Sequence, residues 1–310
     1  MKRGTGLLLV ALAAGLVVGG AWRASCAAGT NPWQLLDFKD KEVLAKIGIT
    51  DETSEQMGIG ILRNALGRHR DPEVRATCAK TLGRLDVKAA GQELTWALND
   101  PSATVRNEAA RALGVIGEKR AIGALSQLLK KEPSWENRMA IVAAFEALGD
   151  RRAGPVLAEA LLKDPDWRVR EKAAEALMEL EEKRASAQLI QALSDPHEAV
   201  RAKAAQALGK LEDKGAVDKL IEVLGDPHPH VRNCAAGALG QIKSRKAVKP
   251  LIEGLKDEDA GVRKNCAYAL GEIESSKAVD ALEEIAENDP EEEVRTAARE
   301  AIKRIEHERE

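Results

Sequence analysis

The chain has 310 residues with nearly balanced charge, 47 Lys and Arg against 50 Asp and Glu, for a net of −3 at pH 7. A chain without a positive field cannot concentrate a phosphate backbone around itself, which excludes a general nucleic-acid binder. It also has no Cys-x-x-Cys pair, no glycine-rich phosphate loop and no Ser–His–Asp constellation.

Residues 1–28 have the layout of a secretory signal peptide. Lys2 and Arg3 form a basic start, Leu7 to Ala21 is an uncharged run, and Ala24, Ser25, Ala27 and Ala28 are small. The run is shorter than the roughly 20 apolar residues that a membrane helix needs. Cleavage after Ala27 or Ala28 predicts an exported protein, periplasmic or extracellular. Two alternatives stay open: an uncleaved N-terminal membrane anchor, and a lipoprotein with Cys26 lipidated, although Arg23 stands where a lipobox carries Leu. The segment carries Lys2, Arg3 and Arg23 and no acid, so its removal leaves the remainder more acidic. Residues 29–53 read as an N-terminal cap. Within them Leu35, Leu36, Phe38, Val43, Leu44 and Ile47 predict one helix over 31–48, broken near Asp40.

From residue 54 to 310 one phrase recurs. Arg75, Arg106, Arg138, Arg170, Arg201, Arg232, Arg263 and Arg295 follow one another at intervals of 31 or 32 residues. Val precedes each except Arg138, where Asn137 stands. A fixed period in the range of roughly 20–50 residues marks a stacked repeat array. Counting from each arginine, +3 is small in most copies (Ala109, Ala173, Ala204, Ala235), +7 is Leu in most (Leu82, Leu113, Leu177, Leu208), and +10 is Leu or Ile (Leu85, Ile116, Leu211, Ile242). Those spacings share one face of an α-helix. Asp-Pro at 100, 164, 195, 226 and 289 predicts the helix start, with Asp as N-cap and Pro at the first helical position. Glycine at +8 (Gly83, Gly114, Gly209, Gly240, Gly271) predicts close backbone approach.

A second helix follows in each period, with Ala at +15 and Leu at +19 and +23, as in Ala216, Leu220 and Leu224. Each unit is then a pair of short amphipathic helices that buries its apolar stripes only by stacking on neighbours. Cys78, Cys234 and Cys266 fall in or beside the small-residue slot. Helix axes about 8–10 Å apart exceed the reach of a disulfide, so free thiols are expected.

The phrase Asp-Pro-x-x-x-Val-Arg-x-x-Ala-Ala-x-Ala-Leu-Gly, clearest at 195–209, resembles the HEAT repeat, in the short variant shared with the phycobilisome lyases. The resemblance covers about residues 54–307 in eight copies. It implies an all-α, right-handed α-solenoid of about eight two-helix repeats, with the Asp-Pro helices on the concave face. It also implies a structural ladder in which Asp and Arg six positions apart tie successive repeats: Asp100 and Arg106, Asp164 and Arg170, Asp195 and Arg201, Asp226 and Arg232, Asp257 and Arg263, Asp289 and Arg295.

Enzymes of similar architecture make three contrasts. Deoxyhypusine hydroxylase carries several His-Glu pairs that hold two irons; here only His197-Glu198 falls within the repeated phrase, and it lies before the valine. Phycobilin lyases act on pigment proteins inside the cell, which a signal peptide contradicts. DNA glycosylases of this build need a basic groove, whereas the expected concave positions mix Lys80, Arg111, Lys172, Lys203 and Lys264 with Glu108, Glu146, Glu171, Glu175 and Glu300.

One local cluster departs from the repeat. Trp167, His197, His228 and His230 fall at the entry to the arginine helix in three successive repeats, with His197 and His228 at equivalent positions. Asn233, Asn265 and Tyr268, the lone tyrosine, continue that surface. Three readings are open: ordinary turn residues, a partner-binding patch of low charge and aromatic content, or a metal site from His228, His230 and Cys234. Trp96 and Trp135 are expected to pack. The sequence as a whole predicts an exported, non-enzymatic scaffold that binds a protein partner through the concave face, with no cofactor, no metal and no nucleic acid. The alternative is an enzyme, or an accessory subunit, of the lyase or hydroxylase kind.

Overall fold

The computed structural model describes Trp33 and residues 36–307. The expected signal segment, with Cys26, lies outside the described residues. Within them the chain forms 17 α-helices and no strand, an all-α solenoid of about eight repeats. No helix among the described residues is long and apolar enough to cross a membrane.

The chain divides into two compact units, one ending at Ala153 and the other beginning at Gly154. The first contains α1 (Phe38–Ala45), α2 (Glu55–Arg68), α3 (Pro72–Arg84), α4 (Gly91–Ala97), α5 (Ala103–Ile116), α6 (Ile122–Lys131) and α7 (Trp135–Leu148). The second contains α8 (Gly154–Lys163), α9 (Trp167–Glu179), α10 (Ser186–Ala192), α11 (Glu198–Lys210), α12 (Val217–Val223), α13 (Pro229–Ile242), α14 (Val248–Gly254), α15 (Ala260–Ile273), α16 (Val279–Asn288) and α17 (Glu292–His307).

The arginine helices stack in a row within each unit: α3 on α5 and α5 on α7 in the first, then α9, α11, α13, α15 and α17 in the second. Glycine at +8 sets their spacing. A Cβ on Gly209 would sit 2.7 Å from the Ala238 Cα, and one on Gly240 2.8 Å from that of Ala269. Gly83 meets Ala112 and Gly271 meets Ala301 in the same way. The +7 leucines Leu82, Leu113, Leu177, Leu208, Leu239 and Leu270 are fully buried between the layers.

Two features give each repeat its bend. The residue at +11 takes a left-handed backbone, with φ near +50° at Asp86, Glu181, Glu212, Lys243 and Glu274, and of +71° and +60° at Gly117 and Gly149. Only the two glycines adopt it without steric cost. A single 3-10 turn then ends on the buried +15 alanine, as in Lys183–Ala185 and Lys214–Ala216, and leads into the second helix.

The structure corrects two local expectations. First, Asp-Pro is the helix start only at Asp71-Pro72. At Asp100, Asp164, Asp195 and Asp226 the cap lies two residues on, at Ser102, Asp166, His197 and His228, and Asp259 stands likewise after Asp257-Glu258. The aspartate instead closes an Asx turn: Asp195 Oδ1 accepts from the His197 N–H at 2.9 Å, and Asp226 Oδ1 from that of His228 at 2.9 Å. Second, the capping helix does not span 31–48: it starts at Phe38, capped by Asp37, so the interruption falls just before Asp40. Asp40 itself lies inside α1 as a buried carboxylate. Lys80 Nζ at 2.9 Å and Arg84 Nη1 at 3.2 Å, both on α3, donate to it. Trp33, 1% exposed, closes over Gly58 of α2.

Candidate functional site

The arginine column forms a ladder within each unit. Arg201 donates from Nε and Nη2 to both oxygens of Asp226, the aspartate of the next repeat, at 2.7 and 2.9 Å. Its Nη1 meets the carbonyl of Asp195, six residues back, at 2.9 Å. Arg170 repeats this with Asp195, Arg232 with Asp257, and Arg263 with Asp289. Planar forks of this kind suit arginine and no other cation.

Burial pushes the Asp100, Asp226 and Asp257 carboxyls up, but the arginine hydrogen bonds and the Asx-turn amide together hold them below the usual aspartate range. At Asp289 the Arg263 hydrogen bonds are the largest cause and act in the same direction. The first rung, Arg75 on Asp100, and the Glu132 carboxylate under Arg106 were not read from the sequence. The signal for Glu132 was there: Glu132-Pro133 occupies the Asp-Pro offset before Arg138. Arg295 pairs with Glu292 on its own helix. With their charges facing one another, the rungs offer little to a partner.

The remaining candidates lie in the second unit and gather into two clusters on its arginine helices. In the first, the Trp167 indole stacks on the His197 imidazole, with centroids 3.8 Å apart and planes 7° from parallel. The Arg168 guanidinium lies over the indole at 5.6 Å and is held by Asp166. His197 is the N-cap of α11, and its Nδ1 accepts from the Ala199 N–H at 3.2 Å, which leaves the ring proton on Nε2. Glu198, 3.6 Å from that Nδ1, carries a carboxyl lowered by a backbone hydrogen bond first and by the Arg201 charge. His228 is the exposed N-cap of α13. Thus Trp167, rather than His228, is the ring stacked on His197.

In the second cluster Asn265 Nδ2 donates to Asn233 Oδ1 at 2.6 Å, linking α15 to α13. Exposed Tyr268 lies one turn further along α15, beside Lys264, which is paired with Glu293. His230 is exposed on α13, its Nε2 3.9 Å from Cys234 Sγ. Gln206 Nε2 also donates to that sulfur, at 3.2 Å.

The thiols are placed for packing. Cys78, Cys234 and Cys266 are free and buried. Burial pushes Cys78 and Cys266 up to about 12, which keeps them protonated and unreactive. Among the described residues no three His, Cys, Asp or Glu side chains are grouped to hold a metal ion. A further expectation is overturned at Trp96, which is 64% exposed and does not pack.

The HEAT-repeat family model matches residues 59–144, 123–193, 186–255 and 224–303. No curated protein matches the chain at a significant level. Among solved structures the chain is similar to Kap95p in its complex with RanGDP, at 16% identity and a TM-score of 0.60, over 96% of this chain and 48% of that one. It is also similar to an engineered protein at 21% identity and a TM-score of 0.53, over 98% and 97% of the two chains. Human deoxyhypusine hydroxylase matches at 27% identity over 80% of this chain and 96% of that one, but with a TM-score of only 0.37. With matched segments running from residue 59 to 303 and the helix pairs stacked in one register, the chain belongs to the HEAT-repeat family.

Proposed function

We propose that the chain is an exported, non-enzymatic scaffold that binds a protein partner through the arginine-helix surface of its second unit. The observation that carries this reading is the Trp167–His197 stack, flat and partly exposed, with exposed His228 on the following repeat. An indole fixed by a neighbouring ring and a guanidinium presents area to a partner at little cost in side-chain entropy. Asn233, Asn265 and Tyr268 extend the surface with polar and aromatic groups of low net charge, the composition found at interface centres. Support for export comes from the signal-like residues 1–28.

Replacing Trp167 and Tyr268 together with Ala tests the binding. Affinity for a partner co-purified with the wild-type chain should fall by at least about 2 kcal/mol, about thirtyfold. Trp167→Ala itself gives up the stack, about 0.5–1.5 kcal/mol of stability. The buried-core change Leu208→Ala costs more, about 2–5 kcal/mol. Unchanged affinity in the folded double variant would refute the assignment. Export is tested by the N-terminal mass of the protein recovered from its host. Cleavage predicts a terminus near Ala28 or Gly29, whereas an intact Met1 refutes it.

A further inference from the structure

The first unit carries a second surface, on the side of the second helices, that the proposed binding patch does not include. Between α2 and α4 lies a groove of about 530 Å³ lined by Gly60, Asn64, Gly67, Arg68, Glu93 and Trp96, among others. Its wall is the Trp96 indole, 64% exposed. Met57, also 64% exposed, lies on the same face of α2, three residues before Gly60 and seven before Asn64. These are two of the three large apolar side chains left exposed among the described residues.

The floor is unusual. Glycine inside a helix is destabilising relative to alanine, so each instance calls for a reason. Gly58 has one, because a Cβ there would run into the buried Trp33 ring. Gly60 and Gly67 have none among the described residues: a Cβ on either would meet nothing within 4 Å. They leave the α2 backbone bare beneath the groove, open to close approach from outside.

The charges define what approaches. The groove's carboxylates are already neutralised, Glu93 by Arg63 at 2.7 Å and Asp100 by Arg75 at 2.7 Å. Arg68 is exposed with no carboxylate partner among the described residues. Lys131, bonded to the lining Asn99, reaches only that side-chain oxygen, at 3.4 Å. The uncompensated charge is therefore positive. An occupant must offer an apolar side chain to Trp96, a carboxylate to Arg68, and a backbone slim enough for the glycine floor. We propose that this groove docks an extended acidic peptide segment of a partner protein, with a large apolar residue flanked by Asp or Glu. A nucleic-acid strand fits less well, because a chain of net charge −3 lacks the positive field that holds a phosphate backbone.

The test is selection from a random displayed peptide library on the full chain, followed by fluorescence anisotropy with the enriched peptides. The expected result is enrichment of Asp or Glu beside Leu, Ile or Phe. Affinity should fall about tenfold or more with Trp96→Ser and with Arg68→Glu. Gly60→Leu, which fills the floor, should abolish binding while the circular dichroism spectrum is retained. Trp167→Ala should leave it unchanged, which separates this proposal from the binding patch of the second unit. The proposal is overturned by no enrichment, by neutral or basic peptides, or by peptides that still bind after Trp96→Ser. It is equally overturned if a single-stranded oligonucleotide takes the groove with comparable affinity, or if sedimentation shows a Trp96-dependent association of the chain with itself.

Discussion

Gly209→Ala and Gly60→Ala are the same substitution in two helices, and the structure predicts opposite signs for them. Both replace an interior glycine with the best helix former, a gain of about 0.8–1 kcal/mol in isolation. At Gly60 the new methyl meets nothing within 4 Å, so most of that gain is kept and the first unit is stabilised by about 0.5–1 kcal/mol. At Gly209 the methyl would lie 2.7 Å from the Ala238 Cα and 2.9 Å from its Cβ. Ordinary carbon contacts are about 3.5–4.0 Å, so α11 and α13 must part by on the order of 1 Å. Because the obstruction is backbone, no rotamer relieves it, and the cost falls at the upper end of the about 1–3 kcal/mol typical of overpacking. Set against the helix gain, the net loss is about 2 kcal/mol. Urea unfolding followed by circular dichroism measures both, with amide exchange on α11 and α13 to localise the change. If Gly209→Ala stabilised the chain as Gly60→Ala does, the arginine helices would not be in backbone contact and the packing described here would be wrong.

Arg201→Lys keeps the charge but cannot span both Asp226 oxygens and the Asp195 carbonyl, bonds of 2.7, 2.9 and 2.9 Å. A loss of about 1–3 kcal/mol is expected in the same unfolding assay, and a loss no larger than that of an exposed lysine swap would contradict the ladder. The ladder also sets the acid response. Asp100, Asp226, Asp257 and Asp289 all have carboxyls lowered in the folded chain. Their stabilisation is complete well above the unfolded aspartate value of about 3.9 and is lost as pH falls through the lower folded values. Thermal melts should therefore hold from neutrality to about pH 5 and drop steeply below about pH 4. Asp226→Asn should flatten that drop.

What was legible in the sequence was whatever the period repeats. The +7 leucines, the +8 glycines and the +15 alanines each recur in a column, and a column states its burial by its composition. Geometry within a turn was not legible. Asp-Pro satisfies the rules for a helix start, yet the incoming arginine holds both carboxylate oxygens and Oδ1 closes an Asx turn, so the cap moves two residues on. The left-handed +11 position was hidden because Asp, Glu and Lys fill it in most repeats, where glycine would have marked it. Asp40 looked like a helix breaker because its partners, Lys80 and Arg84, lie about one repeat further along the chain. In the candidate patch the sequence placed Trp167 and His197 on successive repeats, but not face to face. An offset of one residue in register decides whether two rings stack. Trp96 was assigned to packing by residue type alone, and no sequence signal distinguishes an indole in the core from one on a groove wall.

The claim that the second unit binds a protein through its arginine helices is tested most directly by site-specific photo-cross-linking in the native host. A photoreactive side chain at Tyr268 lies on the proposed surface, and one at exposed Asp218 of α12 lies in the second-helix layer of the same unit. The account predicts one discrete cross-linked partner from position 268, lost when Trp167 is changed to Ala, and none from position 218. Cross-links that appear equally from both positions, or from 218 alone, would contradict it.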